Sequence, residues 1–80
     1  MKKEIAVQVN KMLIAQYVQL NESIYLVRDN CTEEEFIDYR RAAGAIMTDM
    51  YFKIMKAIHL EYPELEPEEL RKLKMDTPYT

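Results

Sequence analysis

The chain has 80 residues and a mass of 9.6 kDa, 49% apolar and 31% charged, the profile of one small domain rather than a disordered tail or a membrane array. One glycine and three prolines are too few to punctuate the many short strands of a sandwich or barrel, so long helices are expected. Eleven Lys and Arg against fourteen Asp and Glu leave a net charge of −3, with no basic block. That excludes a general attraction to nucleic-acid phosphates.

The longest unbroken apolar run, Met12-Leu13-Ile14-Ala15, falls far short of the ~20 residues that cross a bilayer, so no membrane partner is expected. Glu4, Gln8, Asn10 and Lys11 interrupt whatever might follow Met1-Lys2-Lys3 as a secretion signal. A lone Cys31 forms no intrachain disulfide, and a reducing cytoplasm is the expected compartment.

A first helix is predicted over about residues 3–29. Its apolar positions Ala6, Val9, Leu13, Tyr17, Leu20, Ile24 and Val27 alternate three- and four-residue steps. Val7, Ile14, Val18 and Tyr25 lie to one side of that seam, and Ile5, Met12 and Leu26 to the other, so the apolar face is wider than one neighbouring helix covers. Asp29 and Asn30 then suit a turn, and Thr32-Glu33-Glu34-Glu35 has the spacing of a capping box at the start of a second helix. The three glutamates also meet the positive end of the helix dipole, which explains the acidic run without a metal.

The second helix is predicted over about residues 33–61, stopping before Pro63, with a seam at Phe36, Tyr39, Ala43, Ile46, Met50, Ile54 and Ala57. Ile37, Gly44, Met47, Tyr51, Met55 and Ile58 form a second apolar stripe beside it. A short third helix is expected over about 67–75, opened by Pro67, with Leu70 and Leu73 inward.

The short connection makes the long helices an antiparallel hairpin that folds about Asn30. Gly44 then faces Tyr17, and the shallow patch Ala42-Ala43-Gly44-Ala45 lets a large ring approach closely. Close packing offsets the roughly 1 kcal/mol that glycine costs inside a helix relative to alanine. Whether the approaching element is the first helix or another chain is open at this point. Glu22 falls level with Arg40 and Arg41, either as an ion pair that sets the register or as an anion site.

Folding must hide about 63% of the extended chain's surface, more than a lone hairpin manages. The expected architecture is therefore all-α, a long hairpin plus a short C-terminal helix, dimerising into a four-helix bundle. A three-helix monomer closed by the third helix is the competing arrangement. Tyr17, Leu20, Ile24, Ala43, Gly44, Met47, Met50 and Tyr51 are the expected helix-packing and interface residues. Tyr39, Tyr51 and Tyr62 are further candidates for a partner interface.

No catalytic, cofactor or metal set emerges. Ser23 is the sole serine and His59 the sole histidine, Lys56 stands where a di-iron bundle needs glutamate, and no glycine-rich phosphate loop exists. His59 is expected as a partly exposed residue near a helix end, where a cation suits the dipole.

The residues Leu20-Asn21-Glu22-Ser23-Ile24, Cys31, Glu34-Glu35-Phe36, Tyr39-Arg40-Arg41-Ala42 and Gly44 resemble a family of short, uncharacterised bacterial helical proteins over about residues 20–65. The resemblance implies a cytoplasmic helical protein and carries no activity and no functional residues. The expected role is a non-enzymatic protein-interaction module, an adaptor, regulator or small inhibitor, acting as a homodimer with an unidentified protein partner. A ligand or anion sensor with a pocket between helices, lined by Tyr17, Arg40, Arg41 and Met47, is the alternative, and an enzyme using His59 and Glu61 is a distant third.

Overall fold

Helix α1 runs Lys3–Asn30 and helix α2 runs Glu33–Met50 in a computed structural model that describes residues 1–67. The two pack side by side as the expected antiparallel hairpin, and no strand occurs among the described residues. The predicted third helix lies outside the described residues apart from Pro67.

Helix α1 ends where Cys31 turns to extended backbone, its N–H still reaching the Val27 carbonyl at 2.9 Å. The capping box then forms as its spacing predicts. The Thr32 hydroxyl oxygen accepts from the Glu35 N–H at 3.1 Å, and the Glu35 carboxylate accepts from the Thr32 N–H at 3.1 Å. These bonds to the ionised form hold the Glu35 carboxyl below its ordinary range, with the Thr32 backbone N–H contributing most.

The expected unbroken second helix is corrected in one place. A π-turn occupies Tyr51–Met55, and helix α3 continues over Lys56–Glu61 before a 3₁₀ turn at Pro63–Leu65. The Lys56 N–H bonds the Tyr51 carbonyl, one residue further back than an α-helix allows. One extra residue is thereby absorbed, and the side chains beyond it keep the phase of the inward face.

Burial follows that phase. Met55 and Ile58 are buried, whereas Ile46, Ile54 and Ala57 of the predicted seam are exposed. The inward face of the second arm is Ala43, Gly44, Met47, Met55 and Ile58, drawn mostly from the stripe read as secondary.

Tyr17, Ile24, Ala43, Met47 and Met55 form the core cluster, with Leu13, Ile14, Leu20, Phe36, Tyr39, Met50 and Tyr51 packed around it. Ile24, Met47 and Met55 are wholly buried. Each such side chain contributes roughly 1.5–3 kcal/mol on leaving water. Gly44 is buried within α2, and its φ is not positive. The molecule measures 45 × 19 × 19 Å, a rod rather than a sphere.

Candidate functional site

Two hydrogen-bonded pairs mark the two sides of the hairpin. On the first side Asn10, buried in α1, accepts at Oδ1 from the Nε2–H of His59 at 2.6 Å. The Asn10 Nδ2 donates to the Leu65 carbonyl at 2.9 Å, which orients the amide and so selects the Nε2–H form of the imidazole. Nearby, Tyr62 Oη donates to the Met1 carbonyl at 2.8 Å. Lys3 pairs with Glu64 at 2.9 Å, which raises the Lys3 pKa and lowers that of Glu64, chiefly through the shared hydrogen bond. The Tyr62–Leu65 segment is thus laced to the start of α1 across this side.

His59 is only 5% exposed, which corrects the expectation of a half-solvated residue at a helix end. Its burial depends on the π-turn, since an unbroken α-helix would rotate it away from the inward face. In the sequence Asn10 stands out only as an interruption of an apolar run. The available signal was its place on the buried stripe, four residues after Ala6 and seven before Tyr17. Asn21, also buried, occupies the same stripe.

On the second side Ser23 donates to the Leu20 carbonyl at 2.6 Å, so the Tyr39 hydroxyl supplies the proton of the 2.8 Å Ser23–Tyr39 bond. Seven-residue steps from that pair reach Gln16 and Val9 on α1 and Ile46 on α2. This side carries Val9, Leu13, Leu20 and Met50 half-buried, with Ile46 at 56% and Ile54 at 47% exposure. No described segment crosses it. Elsewhere Met12, Leu26, Phe52 and Leu60 are also exposed, Phe52 against the edge of Tyr51 and below the Lys56 ammonium.

The predicted interface set is therefore divided. Tyr17, Ile24, Ala43, Gly44 and Met47 close the core within one chain, while Leu20, Met50 and Tyr51 stay partly accessible. The polar set is not brought together. Glu22 and Arg41 are exposed, Arg40 lies over the Phe36 ring at 5.3 Å, and no ion pair joins Glu22 to either arginine among the described residues. Cys31 is exposed at the turn.

No group of metal-ligating side chains occurs among the described residues, and no described helix is long and apolar enough to cross a membrane. No family model, curated protein or solved structure matches the chain. Any functional reading therefore rests on the residues themselves.

Proposed function

We propose that this protein is a non-enzymatic interaction module that works as a homodimer in the cytoplasm, an adaptor, regulator or small inhibitor whose two hairpins associate into a four-helix assembly. One observation carries the reading: on one side of the hairpin the large apolar side chains Ile46 and Ile54 stay 56% and 47% exposed although the hairpin already has its core.

Sedimentation equilibrium tests the dimer. A mass of twice 9.6 kDa at micromolar concentration supports it, and a 9.6 kDa species at about 100 μM refutes it. The sensor reading gains nothing from the geometry, because Tyr17 and Met47 are buried in the core while Arg41 is exposed to solvent.

A further inference from the structure

We infer that a second copy of this chain docks on the side of the hairpin marked by the Ser23–Tyr39 bond, with α1 against α1 and α2 against α2, each pair antiparallel. The inference rests on the homodimer reading and names its face and its axis.

Three observations select the face. Its centre is built from Val9, Leu13, Leu20, Ile46, Met50 and Ile54, none of them charged, and Ile46 and Ile54 stand about half in water. The opposite side is laced to the Tyr62–Leu65 segment through Asn10 and Met1. The footprint also fits. An identical rod matches the 45 × 19 Å extent of this side in length and width. A smaller outside partner would leave part of that face wet, whereas an identical rod covers all of it.

The axis follows from register and charge. Ser23 pairs with Tyr39, so Gln16 and Ile46, each seven residues from that pair on antiparallel helices, stand level. A twofold axis crossing the face there places like helices head to tail. The outer rim of α2 carries Asp38 eight residues before Ile46 and Lys53 seven after it. The axis therefore sets Asp38 beside the second copy's Lys53, and the same pair recurs at the other end. Lys53 has an exposed ammonium, 3.5 Å from Asp49 within its own helix, and is free to share a second carboxylate. An axis along the helices would instead place α2 against the copy's α1, whose facing rim of Met12, Gln16 and Gln19 is uncharged.

Sedimentation velocity on the full chain, with far-UV circular dichroism to check folding, tests both parts. Ile46→Glu raises the dimer Kd by at least about tenfold with helix content unchanged, because Ile46 is 56% exposed and leaves no core cavity. Leu60→Glu, at a position 72% exposed and off this face, keeps the Kd within about threefold. D38K and K53E each weaken the dimer several-fold, and the double swap D38K/K53E restores it.

A dimer that survives Ile46→Glu overturns the face while leaving the homodimer reading intact. Singles and double that weaken alike overturn the axis. A monomeric wild type overturns this inference together with the reading it rests on, and makes a different protein the occupant.

Discussion

Replacing Asn10 by alanine probes the buried polar link between α1 and the end of the second arm. The side chain is 6% exposed and makes two bonds, accepting from His59 at 2.6 Å and donating to Leu65 at 2.9 Å. A neutral hydrogen bond contributes about 1 kcal/mol net, and a buried donor left without its acceptor costs about 1–3 kcal/mol. The His59 Nε2–H is such a donor once Asn10 is shortened, so the substitution destabilises by roughly 2–4 kcal/mol. For a chain whose whole stability is on the order of 4–12 kcal/mol, that lowers the melting temperature by on the order of 10 °C or more.

The decisive measurement is a double-mutant cycle of Asn10→Ala and His59→Ala by urea unfolding at one protein concentration, which holds any contribution from self-association fixed. Other contacts of either side chain cancel in the cycle, leaving a coupling of about 1–2 kcal/mol. A coupling within about 0.3 kcal/mol of zero refutes the bond and with it the role given to the π-turn.

Thr32→Ala removes the capping box and lowers the melting temperature by roughly 5 °C near neutral pH. Because the folded Glu35 pKa lies below its unfolded value, its stabilising effect is present above the unfolded pKa and fades as pH falls through the folded one. The gap between wild type and variant should therefore shrink in acid, and thermal melts from about pH 7 down to about pH 2.5 read it. Ile24→Ala opens a cavity at a wholly buried site and costs about 2–5 kcal/mol in chemical denaturation. Leu26→Ala, two residues on and 66% exposed, changes stability by less than about 0.5 kcal/mol. Deleting the exposed Lys53 turns the π-turn into an ordinary helical turn and leaves Met55, Ile58 and His59 in phase. The deletion variant should melt within a few degrees of wild type, and collapse on deletion would show that the extra residue is not absorbed there.

Much of the fold is written in local chemistry. The seven-residue rhythm from Ala6 to Val27 dictates a helix, and Asp29, Asn30 and the Thr32–Glu35 box dictate where one arm ends and the other begins. Each of these depends on residues within one or two turns, whose backbone preferences and hydrogen bonds do not wait for the rest of the chain. That Tyr17 and Gly44 lie on buried faces was legible too, because the short connection sets the two arms side by side.

Tertiary structure decided the phase of the second arm. Two apolar stripes ran side by side there, and periodicity alone ranks Ile46 and Ile54 with the core as readily as Met47 and Met55. Packing against α1 chose the second pair, and the π-turn carried that choice past Tyr51 to Ile58 and His59. It also turned a histidine expected at the surface into a buried partner of Asn10, and left Glu22 apart from Arg40 and Arg41. A helix pattern states which residues share a face. Only the neighbour in contact settles which of two apolar faces is covered first, and here it leaves Ile46 and Ile54 exposed.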